Sequence, residues 1–242
     1  MDITGNVHSQ HISRQFNQEL DELKTHLMAM GGLVEKQVQD AVAALLDSDS
    51  SLAERVVAND RAVNDMQIKI DEECTQVLAR RQPTASDLRL VLAVIRAASD
   101  LERIGDEASK IARNAIELIE ADNGNRGFVE VRMISEHVRR MVRDALTSFA
   151  RLDTELALKL VHEDDEVDSE YKSAMRSLMT FMMEDARAIS SVLSVMWILR
   201  ALERIGDHAN NLAEYVVYLV KGLDIRHTDP EDLDKDMLEH GG

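Results

Sequence analysis

An internal repeat constrains the fold of this chain more than any other sequence feature. Residues 101–106 read LERIGD, and the same six letters return at residues 202–207. Six identical residues that include two acids, a cation and a glycine indicate an internal duplication. Apolar residues flank both copies at alternating spacings of four and three, which is the pattern of a helix that packs in a bundle. The chain is therefore predicted to contain two copies of one helical unit.

The same periodicity divides the chain into two units of three helices each. We expect one unit over residues 12–121, a second over residues 128–222, and an acidic flexible tail over residues 223–242. The first helix is predicted to begin near Ser13, and Gly31 and Gly32 within it predict a kink or a close helix contact. Only 2 prolines and 3% aromatic residues favour helices over strands. The predicted fold is all-α, with six long helices in two tandem three-helix bundles.

Charge and composition exclude several classes of function. The formal net charge of −17 repels phosphate backbones and anionic lipid, so we expect neither nucleic-acid binding nor attachment to a membrane surface by charge. No apolar run approaches the roughly 20 residues that a membrane helix needs. The single cysteine, Cys74, cannot form an intramolecular disulfide. These features predict a soluble, cytoplasmic protein without direct membrane insertion.

Each copy of the repeated hexapeptide carries a pair of acids four residues apart. Glu102 with Asp106, and Glu203 with Asp207, each lie on one face of a helix, about 5–6 Å apart. This face points away from the bundle seam, so the pairs are predicted to lie at the surface. Such a pair can bind a hard cation, although the same spacing is also common on the solvated face of an acidic helix.

A second acidic pair lies on the second helix of each unit. Asp164 and Asp168 stand in the second copy, where the first has Asp60 and Asn64. If neighbouring helices bring these pairs beside the first ones, each unit gathers three or four carboxylates, which repel one another unless a cation lies among them. Oxygen ligands favour Mg, Ca, Mn or Fe over Zn or Cu.

Apolar residues continue the outer face of the sixth helix ahead of its acidic pair. Val192, Met196 and Leu199 lie on the same side as Glu203 and Asp207. An apolar outer stripe predicts contact with another surface, which is either the other unit or a partner protein.

Taken together, these features closely resemble the PhoU family of phosphate-signalling proteins over residues 16–227. The most specific segments are residues 101–108, LERIGDHANNLAE at 202–214, RRQP at 80–83 followed by SDLR at 86–89, and GLDIRH at 222–227. The resemblance implies two similar three-helix bundles whose surfaces bind a divalent or trivalent metal ion (Mg, Mn or Fe). Carried across by position, its E(D)-x-x-x-D motifs fall on Glu102 with Asp106, Glu203 with Asp207, Asp60 with Asn64, and Asp164 with Asp168.

The resemblance also implies a function and a set of partners. Such proteins repress the phosphate-starvation response and restrain phosphate uptake. They are thought to link the ATP-binding subunit of the phosphate ABC transporter to the phosphate sensor histidine kinase, so we expect a cytoplasmic protein peripheral to the inner membrane through its partners. We expect a homodimer, and we place partner docking on Val192, Met196 and Leu199.

The two metal sites are predicted to be unequal. Asn64, Lys110 and Arg113 in the first copy stand where the second has Asp168, Asn211 and Glu214. One missing carboxylate and two extra cations weaken a cation site, so we expect tighter metal binding in the second unit.

Two other classes of function are compatible with an acidic helical chain, a metal enzyme and a metal-free scaffold. A carboxylate-bridged di-iron enzyme characteristically uses Glu-x-x-His pairs that point inward. None of the eight histidines has a glutamate three residues before it, so we do not expect an enzyme. A metal-free helical scaffold stays open, and measurement of bound metal would distinguish it.

Overall fold

The computed structural model describes residues 3–121 and 128–226, with side chains from residue 14 onward, and its regular structure is helical. The helices are α1 (Ile3–Leu46), α2 (Ser50–Arg81), α3 (Ala85–Glu120), α4 (Phe128–Arg151), α5 (Thr154–Glu184) and α6 (Ile189–Lys221), with a 3-10 turn at Ala186–Ala188 before α6. No strand occurs within these described ranges. The predicted all-α fold with six long helices is confirmed.

Polar N-cap residues begin two of the helices, and a residue in the left-handed conformation ends another, at the breaks that the sequence predicts. Asp49 precedes α2, and its side chain accepts a hydrogen bond from Leu52 N at 2.9 Å. Asp153 caps α5 in the same way, accepting from Leu156 N at 3.0 Å. Gly222 ends α6 with φ at 75°, a conformation that glycine adopts without steric cost. These caps satisfy backbone groups that the helices leave unpaired.

The two three-helix repeats pack into one continuous core. Within it, α3 and α6 make the most extensive contact between any two helices. They run antiparallel, since Arg89 Nε near the start of α3 donates to Leu219 O near the end of α6, at 3.4 Å. The apolar residues of the repeated hexapeptides, Leu101, Ile104, Leu202 and Ile205, are fully buried. The duplicated segment therefore forms the centre of the molecule.

Two predicted boundaries differ from the structure. Helix α1 begins at Ile3, well before the predicted start near Ser13. The tail does not begin loosely at residue 223, because Leu223 packs against the core and Ile225 is buried. These two apolar side chains hold the segment against the helices. Residues 227–242 of the predicted tail lie outside the described residues.

The docking surface predicted on α6 is wrong. Val192 and Leu199 are both 0% exposed, and Met196 is partly buried against the core. The reason is that α6 contacts α3, α4 and α5, so helices cover it on several sides. Of the two explanations for the apolar outer stripe, burial inside the molecule is the correct one.

One of the two adjacent glycines of α1 permits a close contact between the repeats. A Cβ built on Gly31 would lie 2.3 Å from Leu146 Cδ2 of α4, whereas one on Gly32 meets nothing within 4 Å. The predicted close helix contact therefore occurs at Gly31. A salt bridge between Arg143 Nε and Glu35 Oε1, at 2.9 Å, joins the same two helices.

This difference predicts unequal responses to the same substitution. Gly32→Ala should raise the free energy of unfolding by roughly 0.5–1 kcal/mol, because alanine is the better helix former. Gly31→Ala gains the same propensity but forces Leu146 to move, so it should be less stable than Gly32→Ala by about 1 kcal/mol or more. Urea unfolding measures both. Adding Leu146→Ala to Gly31→Ala should relieve the clash, and equal stabilities for the two alanine variants would contradict this packing.

Candidate metal centres

The second repeat brings its two acidic pairs together across α5 and α6. Burial, followed by the charges of Asp207 and Asp168, raises the pKa of Asp164 to about 6. Burial likewise raises the pKa of Glu203, followed by the charge of Asp207. Carboxylates influence one another this strongly only when they are close. The structure therefore places all four predicted residues in one acidic cluster, which we call the second-repeat cluster.

The first repeat forms a smaller cluster at the equivalent place. Burial and then the charge of Asp106 raise the pKa of both Asp60 and Glu102. Asn64, which stands in place of a fourth carboxylate, has a buried Oδ1 without a hydrogen-bond partner. Asp60, Glu102 and Asp106, with Asn64, form the first-repeat cluster.

Sequence reasoning missed one member of the first-repeat cluster. Gln37 of α1 is 4% exposed, and its Nε2 lies 3.4 Å from Asp60 Oδ1 and 3.5 Å from Gly105 O. Its Oε1 is buried without a partner. The available signal was a glutamine beside the apolar seam positions Val34 and Val38, where a polar residue needs a hydrogen-bonding partner.

The acids of the two clusters were predicted to lie at the surface, and they differ in how exposed they are. Asp207 is exposed, and Glu102, Asp106, Asp60, Asp164 and Asp168 are half-buried. Glu203 is only 7% exposed, because the helices packed around α6 enclose it. It pairs with Arg200, and its Oε2 has no hydrogen-bond partner. Asp168 pairs with Lys172 at 3.0 Å.

The donor atoms of both clusters suit a hard cation. Buried oxygens of Glu203, Asn64 and Gln37 lack a donor, and each could be satisfied by a positive ion. An oxygen donor set fits Mg, Mn or Fe. As the side chains stand, no three acidic, histidine or cysteine groups in the described ranges converge closely enough to hold a metal ion. Binding would therefore require the carboxylates to rotate towards one another.

The two clusters differ in the charges around them, which supports the prediction that they bind metal with unequal affinity. The charge of Arg113 acts on Asp60 and lowers its pKa, against the larger effect of burial. At the equivalent position of the second repeat, Glu214 is near Asp164, and burial raises the pKa of Glu214 to about 7. Lys110, also expected to weaken the first site, instead pairs with Glu107 at 2.9 Å.

The glycines of the hexapeptides serve helix packing. A Cβ on Gly105 would lie 3.3 Å from Val63 Cγ1 of α2, and one on Gly206 would lie 3.5 Å from Val167 Cγ1 of α5. The group that approaches each glycine is thus a valine of the neighbouring helix. These contacts set the distance between the helices that carry the paired acids.

A buried polar network beside the clusters joins the two repeats. Asp100, which is 7% exposed, lies 2.7 Å from His208 Nδ1 and accepts hydrogen bonds from Asn211 and Tyr215 at 3.1 and 2.7 Å. His208 is therefore part of this network and is not a solvated surface residue. Arg204 also crosses between the repeats, with its Nη1 2.9 Å from Glu107 Oε1. Sequence spacing gave no signal for these pairs, which join residues about a hundred positions apart.

Comparison with known proteins gives consistent matches. The PhoU domain family matches residues 27–115 and 131–216. The chain is 60% identical over 217 residues to the phosphate-specific transport system accessory protein PhoU homolog of Pseudomonas putida, covering 90% of this chain and 85% of that protein. It is 46% identical to the phosphate-specific transport system accessory protein PhoU of Escherichia coli K12, over 94% of each.

Solved structures agree with this match. The crystal structure of PhoU from Pseudomonas aeruginosa superposes with a TM-score of 0.84 at 59% identity, covering 86% of this chain and 100% of that one. The phosphate transport system regulatory protein PhoU from Streptococcus pneumoniae gives a TM-score of 0.80 at 29% identity, over 86% and 98% of the two chains.

Exchanging one residue between the clusters should reduce the difference between their affinities for metal. Asp168→Asn removes from the second-repeat cluster the carboxylate that the first lacks, so Mn²⁺ binding there should weaken at least tenfold. Asn64→Asp should strengthen binding in the first repeat, because it adds a carboxylate. Titration calorimetry after chelator treatment measures both. Equal occupancy of two sites in the unmodified protein at limiting Mn²⁺ would contradict the predicted order.

The raised pKa of Glu214 predicts that stability falls as pH rises. The folded protein holds the proton of Glu214 up to about pH 7, whereas the unfolded chain releases it near pH 4.5. The stability that this proton contributes is therefore complete below pH 4.5 and is lost as the pH rises to about 7. Between pH 6 and 8 without metal, Glu214→Gln should lose less stability than the unmodified protein, by about 1 kcal/mol. Urea unfolding at several pH values measures this, with Glu54→Gln as an exposed control. Identical pH profiles would contradict the assignment.

Proposed function

The chain belongs to the PhoU family, and we propose that it is a negative regulator of the phosphate-starvation response that also restrains phosphate uptake. The observation that carries this proposal is its similarity to accessory proteins of the phosphate-specific transport system over 90% or more of its length. A match of this extent includes both repeats and the α3–α6 contact between them.

The proposed role is that of an adaptor between two membrane complexes. It would bind the ATP-binding subunit of the phosphate ABC transporter and the phosphate sensor histidine kinase, as a homodimer in the cytoplasm that reaches the inner membrane through these partners. Across the described helices, none is long and apolar enough to span a membrane. The net charge of −17 suits binding to basic protein surfaces better than binding to anionic lipid.

We propose a binding role without catalysis. The relatives are named as accessory and regulatory proteins. The one thiol, Cys74, is fully buried, and burial raises its pKa to about 12, so it is not available as a nucleophile. The acidic clusters have the composition of cation-binding sites, because carboxylate oxygens are the ligands that hard cations prefer.

A Mg, Mn or Fe ion bound in these clusters would supply an electrostatic cross-link. Asp164 and Asp168 on α5, with Glu203 and Asp207 on α6, would hold it in the second repeat. Asp60, Glu102 and Asp106 would hold it in the first. Burial and then the charges of neighbouring carboxylates raise the pKa of Asp164 and Glu203. The ion would offset the repulsion between these charges and would fix the spacing of the two helices.

Because the predicted docking stripe is buried, we place partner docking on a different side of α6. Ile189, Leu193 and Trp197 are 42%, 44% and 65% exposed, and they form what we call the exposed α6 stripe. Residues four apart share one helix face, so these three form a continuous apolar strip. Exposed tryptophan is unusual on a protein surface and is enriched where proteins bind one another.

Complementation of a deletion strain tests the function and the docking surface together. Cells that lack this gene should show high alkaline phosphatase activity in phosphate-rich medium, and the unmodified gene should restore low activity. Trp197→Glu should fail to restore repression, because a charge interrupts the exposed α6 stripe. Ile68→Glu, at a residue that is 56% exposed on α2, is the matched control and should repress normally.

The possible outcomes separate the two claims. Low phosphatase activity in the deletion strain would refute the regulatory function. Normal repression by Trp197→Glu, at unmodified protein levels, would refute the docking surface and leave the regulatory function in place.

A further inference from the structure

A groove between α4 and α5 has the chemistry of a binding site for an organic cation, and we propose that it binds a short linear diamine. The groove encloses a cavity of about 270 Å³. Glu130 and Glu170 both line it, as do the apolar side chains of Met133, Ile134 and Ala174. This site is separate from the acidic clusters and does not depend on the proposed function.

Two hydrogen-bonded pairs cross from α4 to α5 and bracket the cavity. At one end, Ser177 Oγ donates to Glu130 Oε1 at 3.1 Å. At the other, His137 Nδ1 lies 3.3 Å from Glu170 Oε1. The pairs are seven residues apart along each helix, and therefore about 10 Å apart at 1.5 Å per residue. The groove thus presents an acid at each end and apolar walls between them.

The end of the groove at Glu170 is short of hydrogen-bond donors. Glu170 Oε2 is buried there without a partner, and so is Nε2 of His137, which pairs with Glu170 beside the cavity and is only 5% exposed. When Nδ1 donates to Glu170, Nε2 carries a lone pair, so both atoms are acceptors. An ammonium group supplies three donors and a positive charge.

The internal duplication shows that the fold does not require this polar pair. At the offset of 104 residues that relates α1 and α2 to α4 and α5, Leu33 and Met66 occupy the positions of His137 and Glu170. Both pack against the apolar core. A buried polar pair with unmet acceptors is less favourable than such an apolar pair. Its presence in the second repeat alone therefore points to a ligand that completes the hydrogen bonds.

The first repeat also shows how an acidic groove is balanced. A cavity between α1 and α2 is lined by Glu19, Glu22 and Glu73 together with Arg80, so its own chain supplies the cation. None of the residues that line the cavity between α4 and α5 is basic. A cationic ligand would supply the positive charge that the lining of this groove lacks.

The distance between Glu130 and Glu170 determines which kind of cation can contact both carboxylates. A metal ion binds its oxygen ligands at 2.0–2.6 Å, so one ion cannot contact carboxylates about 10 Å apart. A single ammonium group also reaches only one of them. Two ammonium groups joined by methylenes place one charge at each acid and lay the chain along Met133, Ile134 and Ala174. The simplest such molecules are 1,4-diaminobutane and 1,5-diaminopentane.

Titration calorimetry with 1,4-diaminobutane tests the proposal on the full-length protein. We expect one saturable site, and at least tenfold weaker binding of n-butylamine, which has one charge. The double variant His137→Leu with Glu170→Met copies the apolar pair of the first repeat, so it should fold and lose at least tenfold in diamine affinity. Glu54→Gln, which removes an exposed acid of α2, should bind as the unmodified protein does.

A second variant keeps the test decisive if the double variant does not fold. Glu130→Gln leaves the His137–Glu170 pair intact and should weaken the diamine at least fivefold while n-butylamine binding changes little. Equal affinity for both amines, or unchanged diamine binding in Glu130→Gln, would overturn the proposal. Weak, unsaturable binding that all variants share would also overturn it, since this is the general attraction of an acidic protein for cations.

Discussion

The antiparallel packing of α3 against α6 is the contact on which the rest of the structure depends. It merges two three-helix repeats into one core, in which Leu101, Ile104, Leu202 and Ile205 are fully buried. Apolar burial on this scale dominates the free energy of folding. The buried carboxylate of Asp100, with three partners on α6, adds a directional constraint, because an unpaired carboxylate there would be costly. Val192 and Leu199 are buried in the same core, so the docking surface that we propose is the exposed α6 stripe instead.

Duplication gave the two repeats one architecture and let their electrostatics diverge. The same helix pairs carry acids in both, yet Asn64 replaces a carboxylate and Arg113 acts on Asp60 in the first. In the second, Glu203, Asp207, Asp164 and Asp168 crowd together, and burial and mutual repulsion raise the pKa of Asp164 and Glu203. Such a cluster stores an unfavourable energy that a bound cation would relieve. The groove between α4 and α5 shows the same divergence, with His137 and Glu170 where the first repeat has Leu33 and Met66.

Much of the fold and part of the candidate site follow from local patterns. Periodicity predicted six helices and their breaks, and the juxtaposition of the acidic pairs followed from neighbouring helices that share a register. The burial of Glu203 did not follow, because it depends on how the other helices pack around α6. The pairing of His208 did not follow either, because its partner, Asp100, is distant along the chain. Gln37 was missed because its partners lie on two other helices.

The sequence by itself determined the helical class, the duplication, the family and the identity of the paired acids. These properties depend on residue spacing within one helix or on the comparison of two segments, and both can be read without knowing the three-dimensional arrangement. The tertiary structure alone decided which faces are free, which acids are buried and which polar groups lack partners. Those properties depend on contacts between helices that are far apart in the chain, such as Gly31 with Leu146 and Asp100 with Tyr215. Periodicity shows that a helix face is apolar, but only packing decides what covers it.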